Sequence, residues 1–163
     1  MYEKIMVPLD GSDLAECVLP HVENCIMSGK VNAVVFVRVV EPAPTRFDDT
    51  AALSAVSREQ IIEGTRVIEE NRKSNAAEYL NGVVSRLKSY GVEIKTEVLV
   101  GRVADSLADY TETNGIDLIV IATHGRSGVS RWVRGSVADR VLRFSRVPVL
   151  MVNAGSAHGD SKM

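Results

Sequence analysis

The chain has 163 residues, of which 45% are hydrophobic and 25% charged, and its formal net charge is −2. This length and composition suit one ordinary globular domain with its own hydrophobic core. The small negative charge disfavours a nucleic-acid-binding protein that depends on a strong positive field, and no apolar run reaches the roughly 18 residues of a transmembrane helix. The amino terminus lacks the pattern of a signal peptide, so we expect a cytoplasmic protein with no membrane partner.

Short apolar runs, many of them rich in valine and isoleucine, alternate with segments of helical period. We expect residues 153–163, which are rich in small and polar residues, to be a disordered tail. In chain order, the sequence predicts strand 4–9, helix 14–26 with a kink at Pro20, strand 31–40, helix 52–90, strand 92–100, a short helix between Gly101 and Asn114, strand 116–122, helix 136–144 and strand 148–152.

Five apolar strands separated by four helices predict an α/β fold with a parallel sheet that is covered by helices on both faces. We predict a single doubly wound domain over residues 1–152, with the strand order 3-2-1-4-5. Ligands of such sheets bind beyond the carboxyl ends of the strands, where the strand order reverses. Here that position lies between the first and fourth strands.

Two segments meet at this position, namely Asp10 after the first strand and residues 122–125 after the fourth. The predicted helix that opens at Gly135-Ser136 would add free backbone N–H groups, which bind phosphate well. Asp10 could accept hydrogen bonds from ribose hydroxyls, and Val39 could pack against a base. The loop before this helix carries three arginines whose guanidinium groups could hold phosphate oxygens: Arg126, Arg131 and Arg134.

Each of these features also has a purely structural interpretation. Ser136 and Asp139 fit a capping box, and the whole role of Asp10 could be to cap the first helix. The loop arginines could be solvated, and the whole role of Gly125 and Gly135 could be to form turns. Spacing alone leaves these alternatives open.

The chain resembles the universal stress protein family over residues 2–152. The segments that carry the resemblance are Ile5-Met-Val-Pro-Leu-Asp-Gly-Ser12, Ile119-Val-Ile-Ala-Thr-His-Gly-Arg-Ser-Gly128, Val133-Arg-Gly-Ser-Val-Ala-Asp139 and Arg146-Val-Pro-Val-Leu-Met-Val152. ATP-binding members carry a glycine, two residues, a glycine, nine residues, and then glycine with a small hydroxyl residue. Gly125 and Gly135-Ser136 match that motif, whereas Ala122 replaces its first glycine, and its methyl group could crowd a ribose.

The resemblance implies an adenine nucleotide α-hydrolase-like fold that binds ATP, or AMP or ADP. A Mg²⁺ ion could arrive with the nucleotide phosphates. The resemblance also implies a regulatory role in a stress response and a homodimer formed through the last strand, Pro148 to Val152. The residues that would shape the adenine and ribose pocket are Pro8, Leu9, Asp10, Val39, Ile121 and Ala122. Those that would meet the phosphates are Gly125, Arg126, Gly135, Ser136 and Val137.

The residues themselves give little sign of catalysis. The motif lacks the lysine of a Walker A loop, and no histidine and carboxylate pair accompanies a serine. We therefore predict no catalytic residues, no protein metal site, and hydrolysis that is slow or absent. A slow ATPase or autophosphorylating enzyme and a nucleotide-free dimeric interaction module remain the alternatives. Cys17 and Cys25 are predicted to be buried free thiols, with a redox pair as the alternative.

Overall fold

The computed structural model describes residues 2–29, 31–42, 55–87, 91–123 and 137–154. The helices and strands alternate along this part of the chain much as the apolar pattern predicts. In chain order they are β1 (Lys4–Pro8), α1 (Asp13–Glu16), α2 (Leu19–Met27), β2 (Ala33–Val40), α3 (Ala55–Arg86), β3 (Glu93–Val100), α4 (Val103–Thr113), β4 (Leu118–Thr123), α5 (Val137–Phe144) and β5 (Val149–Asn153).

The five strands form one parallel sheet with the order β3-β2-β1-β4-β5. This confirms the predicted fold class and strand order. The central strands β1, β2 and β4 consist mainly of apolar residues, because both of their faces are covered by helices. β2 pairs with β3 along its whole length, from Ala33 opposite Glu93 to Val40 opposite Val100.

Side chains alternate between the two faces of the sheet and fill two separate cores. On what we call the α3 face, Ile5, Val7 and Phe36 pack with Val22 of α2 and Leu80 of α3. The opposite side, which we call the α5 face, has a core that includes Met6, Val35 and Ile119, together with Leu107 of α4 and Val141 of α5. Because aromatic residues are few, aliphatic side chains supply nearly all of this packing.

The prediction of one kinked helix over residues 14–26 was wrong, since the chain forms two separate helices there. Ser12 caps α1, and its Oγ accepts a hydrogen bond 3.1 Å long from the amide of Ala15. α1 ends at Glu16, and Pro20 lies in the first turn of α2. A proline in a first turn costs no helical hydrogen bond, whereas one in the middle of a helix would. The break therefore comes before the proline rather than at it, and the described chain has five helices instead of four.

The other boundaries differ from the predicted ones by a few residues at most. β4 begins two residues later than predicted, and β5 runs one residue further, to Asn153. α4 ends at Thr113, and Gly115 adopts a φ of +64° just after it, as the Asn114-Gly115 pair predicts. The long helix α3 packs on the sheet through its carboxyl half, from Ala76 onward, while residues 59–75 are exposed except for the half-buried Thr65 and Glu69.

Candidate functional site

The sheet opens between β1 and β4 as these strands approach their carboxyl ends. Within the described part of the chain, β1 pairs with β2 at five positions but with β4 at only two, Ile5 with Leu118 and Met6 with Ile119. Both strands continue beyond the last pair, to Pro8 and Thr123. The strand order reverses at the same place, so the structure has an opening where doubly wound sheets bind their ligands.

Pro8 gives a physical reason for this opening. The amide of Leu9 donates a hydrogen bond 2.8 Å long to the carbonyl of Val37, so the Leu9 amide faces β2. Successive backbone groups of a strand point to alternate sides, which directs the nitrogen of Pro8 towards β4. Proline has no N–H, and β1 therefore has no donor for β4 at this position.

Asp10 follows β1 at the edge of this opening and holds a tight turn. Its Oδ1 accepts two hydrogen bonds from Ser12, one from the amide at 2.9 Å and one from Oγ at 2.6 Å. Ser12 is the N-cap of α1, so Asp10 orients the cap and does not itself cap the helix. The side chain of Asp10 is exposed at the carboxyl edge of the sheet, and Oδ2 has no hydrogen bond to another described residue.

The predicted apolar site residues divide between the two faces. Pro8, Val39 and Ile121 lie on the α5 face, where Val39 is half-buried against the core and Ile121 is buried. Leu9 and Ala122 lie on the α3 face; the side chain of Leu9 belongs to the core, and the methyl group of Ala122 packs against that core. The structure thus brings Pro8, Val39 and Ile121 to one side of the opening and turns the side chains of Leu9 and Ala122 to the other.

Val137 is the first described residue of α5, and its side chain is 39% exposed. It lies on the helix that covers the α5 face, the face that carries Pro8 and Val39. The remaining predicted phosphate contacts fall outside the described residues. These are Gly125, Arg126, Gly135 and Ser136, together with the loop arginines Arg131 and Arg134.

One charged residue beside the opening was missed by the sequence analysis. Arg38 lies near the carboxyl end of β2, and its guanidinium carbon is 5.0 Å from the centre of the Tyr79 ring. A β-carbon added to Gly11 would lie 3.1 Å from both terminal nitrogens of Arg38. The available signal was that Arg38 is the single charged residue in the apolar run over residues 31–40.

Tyr79 sits in an acidic and buried environment beneath Arg38. Burial raises the pKa of its phenol well above the ordinary value, and the nearby Glu16 carboxylate raises it further. The hydroxyl is buried without a hydrogen bond of good geometry to a described residue. Glu16 itself forms an ion pair 2.8 Å long with Arg86 at the end of α3. Tyr79 is therefore neutral across the physiological pH range and presents its ring face to the Arg38 cation.

Metal-binding side chains do not gather in the described residues, where no group of three or more His, Cys, Asp or Glu could hold an ion. Within the same residues, no helix is long and apolar enough to cross a bilayer. What the opening offers is a carboxylate at its edge, an apolar side formed by Pro8, Val39 and Ile121, and main-chain groups of β1 and β4 that are not paired with each other. These features suit a ligand with a flat apolar part and hydroxyl groups.

The model of the universal stress protein family matches residues 1–153. The chain belongs to the universal stress protein family. It is 34% identical over 154 residues to universal stress protein MJ0531 of Methanocaldococcus jannaschii, a match that covers 93% of this chain and 82% of that protein. It is also 28% identical over 170 residues to universal stress protein YxiE of Bacillus subtilis, with coverage of 93% and 99%. The resemblance noted in the sequence is thereby confirmed.

Solved structures of this family share the fold. The structure of protein MJ0577 from M. jannaschii superposes with a TM-score of 0.73 at 24% identity, covering 94% of this chain and 96% of that one. A family member from Arabidopsis thaliana, solved with AMP bound, gives a TM-score of 0.63 at 14% identity and covers 98% of this chain and 97% of that one. A universal stress protein solved in complex with cAMP gives a TM-score of 0.58 at 19% identity and covers 94% of this chain and 98% of that one. At these identities the similarity establishes the fold.

Proposed function

We propose that this chain is an adenine-nucleotide-binding regulatory protein that acts in a stress response, with ATP as the principal ligand and with hydrolysis slow or absent. The observation that carries the proposal is the opening of the sheet between β1 and β4 with Asp10 at its edge. Two relatives of the same fold, solved with AMP and with cAMP, support an adenine nucleotide as the class of ligand. Such a role places the protein in the cytoplasm, where ATP is abundant.

In this proposal the adenine packs on the apolar side of the opening, against Val39 and Ile121. The carboxylate of Asp10 accepts hydrogen bonds from the ribose hydroxyls, which are stronger than neutral hydrogen bonds because the acceptor is charged. The phosphates then extend towards the amino end of α5, and Gly125, Arg126, Gly135 and Ser136 supply their contacts, with Mg²⁺ bound to the phosphates. Leu9 and Ala122 contribute through their main chains, since their side chains face the other core.

Mass spectrometry of the small molecules released from purified protein tests this function first. We expect an adenine nucleotide, and titration calorimetry with ATP, ADP, AMP and cAMP then ranks the four. If the protein carries no nucleotide and none of the four gives a binding heat, the protein is an interaction module without a nucleotide and the proposal fails.

A turnover assay separates a binding protein from a slow ATPase. We expect phosphate release from ATP to be at most slightly faster in the parent than in Gly135→Asp, a variant whose carboxylate would repel the phosphates. Repeated turnover by the parent that the variant loses would favour the enzyme over the regulatory binding protein. Equal release by both proteins would come from another site or a contaminant.

We also propose a homodimer formed through β5, which lies at the edge of the sheet. The amide of Ile119 donates to the carbonyl of Pro148, so the backbone groups of Pro148 and Leu150 face β4 while those of Val149 and Met151 face outward. The side chain of Leu150 is 41% exposed on this strand. An apolar edge of this kind invites a second strand, and a two-fold axis gives the simplest closed assembly.

A pair of charge variants tests the dimer. Leu150→Lys and Leu150→Glu should each sediment as monomers, because two like charges would meet across the two-fold axis. An equimolar mixture of the two should form a heterodimer through opposite charges, which distinguishes lost pairing from a misfolded strand. A parent protein that sediments as a monomer, or single variants that remain dimeric, would exclude this interface.

A further inference from the structure

The side chain of Arg38 connects three elements beside the opening. It starts from β2, its guanidinium carbon lies 5.0 Å from the Tyr79 ring centre on α3, and its terminal nitrogens lie beside Gly11, in the turn between β1 and α1. Any β-carbon on Gly11 would come within 3.1 Å of two of those nitrogens. A β-carbon there would make a tighter contact than most real ones, so Arg38 would have to shift by a few tenths of an ångström to admit it.

Gly11 is also the middle residue of the turn that Asp10 and Ser12 hold together. Asp10 accepts both hydrogen bonds from Ser12, and Gly11 adopts a φ of +91° between them, a conformation that side-chain-bearing residues rarely adopt. The hydrogen bonds between Asp10 and Ser12 thus close the turn around Gly11. A side chain packed beside Gly11 therefore also lies against the turn that carries the Asp10 carboxylate.

We propose that Arg38 is a positioning residue of the nucleotide site, which fixes the turn that presents Asp10 to the ribose. The inference rests on the proposed function for its ligand and on the contacts of Arg38 for its geometry. A planar guanidinium can lie flat against an aromatic ring and against a glycine, whereas the compact ammonium of lysine on its flexible stem fills neither space in the same way. The ring of Tyr79 limits where the guanidinium can go, and its hydroxyl plays no part.

Hydrogen exchange of the nucleotide-free protein tests the geometry without any ligand. The Ser12 amide, which donates to Asp10, should exchange faster in Arg38→Lys because the turn that protects it opens more often. We expect a change of about tenfold, which corresponds to roughly 1.4 kcal/mol. The amide of Met6 in the core should be unchanged. Arg146→Lys is the matched control, since Arg146 pairs with Glu112 at 3.4 Å, away from the opening, and it should leave Ser12 unchanged. Equal exchange of Ser12 in the parent and in Arg38→Lys would overturn the proposal.

Two variants of Tyr79 separate the ring from the hydroxyl. Tyr79→Phe keeps the ring face and should match the parent in Ser12 exchange. Tyr79→Leu removes the ring and should match Arg38→Lys. If Tyr79→Leu were as slow to exchange at Ser12 as the parent, the ring would not hold Arg38 in place.

A double-mutant cycle on ATP affinity then shows whether Arg38 acts through Asp10. Arg38→Lys should weaken ATP binding about tenfold in the parent, but should change little in an Asp10→Asn background, because the group being positioned is already lost. Equal losses in both backgrounds would mean that Arg38 acts independently of Asp10, and would contradict the proposal. If the parent binds no nucleotide, the proposed function fails, while the exchange of Ser12 still decides whether Arg38 sets the turn.

Discussion

Asp10 and Ser12 are joined through a single carboxylate oxygen, which accepts both the amide and the hydroxyl hydrogen of Ser12. This arrangement uses Oδ1 to hold the turn and leaves Oδ2 without a bond to another described residue. One side chain thus serves both the fold and, in our proposal, the ligand. The two roles can be separated experimentally, because an amide keeps one oxygen acceptor but loses the charge.

Asp10→Asn should weaken ATP binding by about 10- to 100-fold, because hydrogen bonds to a charged group contribute about 1.5–3 kcal/mol. The free energy of unfolding should fall by less than about 1 kcal/mol, since the amide oxygen can still accept from Ser12. Titration calorimetry and denaturant unfolding measure the two quantities. Asp109→Asn, at an exposed position on α4, should change neither. An unchanged affinity in Asp10→Asn would remove Asp10 from the ligand site.

The two halves of α3 should respond very differently to truncation. Leu80 is fully buried on the α3 face, whereas Ile62 is 60% exposed in the amino half of the same helix. Leu80→Ala should lower the free energy of unfolding by about 2–5 kcal/mol, and Ile62→Ala by less than about 0.5 kcal/mol. Denaturant unfolding measures both. A comparable loss in Ile62→Ala would mean that the amino half of α3 is packed against something in solution.

Tyr79 should titrate late as pH rises, because burial raises its pKa above the ordinary value of 10.0. A tyrosine whose pKa is raised in the folded state leaves the free energy of unfolding unaffected well below the unfolded value of about 10, and lowers it as pH rises further, because the unfolded state then ionises more readily. Tyr79→Phe should therefore resist alkaline unfolding to a higher pH, and its absorbance titration should lose a late component. Near neutral pH its stability should equal the parent's or exceed it by up to about 1 kcal/mol, because the variant removes a buried hydroxyl that has no well-formed hydrogen bond to a described residue.

That prediction fails if the absorbance titrations of the parent and of Tyr79→Phe differ only by a tyrosine of ordinary pKa. Such a result would mean that the hydroxyl reaches solvent.

Both cysteines should react slowly with alkylating reagents. Each is a half-buried free thiol whose pKa is raised by burial from the ordinary value of 9.0. Because the thiolate is the reacting form, iodoacetamide at pH 8 should modify Cys17 and Cys25 more slowly in the native protein than in urea. Equal rates in the two conditions would show that the segment from α1 to α2, which carries both cysteines, opens readily. The prediction that both thiols are free is confirmed, whereas the prediction that they are buried was wrong, since each is half-buried.

The strand order could be predicted from the sequence because local pattern and topology point the same way. The apolar runs of β1, β2 and β4 do not alternate with polar residues, so neither face of these strands could be expected to contact solvent. A parallel sheet covered by helices on both faces accounts for this pattern. The place where the strand order reverses, between β1 and β4, follows from that order alone. Asp10 could therefore be predicted to lie beside the fourth strand. The helix break before Pro20 could not be predicted, because a proline fits a kink and a first turn equally well from its position in the sequence.

The contacts of Arg38 were beyond sequence reasoning for a different reason. Arg38, Tyr79 and Gly11 lie on three separate elements, and only the packing of α3 on the sheet brings them together. A charged residue within an apolar strand is visible in the sequence, but the sequence does not show which residues it contacts. The effect of Pro8 similarly required the register, since the missing N–H matters only because it faces β4.

The central claim is that a nucleotide occupies the opening between β1 and β4, and hydrogen exchange with and without saturating ATP tests it most directly. We predict that ATP slows the exchange of backbone amides at residues 9–12 and 121–123, at the carboxyl edge of the sheet. The amides of residues 116–118, at the opposite edge, should exchange at the same rate in both conditions. Protection confined to that opposite edge, or no protection at all under saturating ATP, would contradict the account.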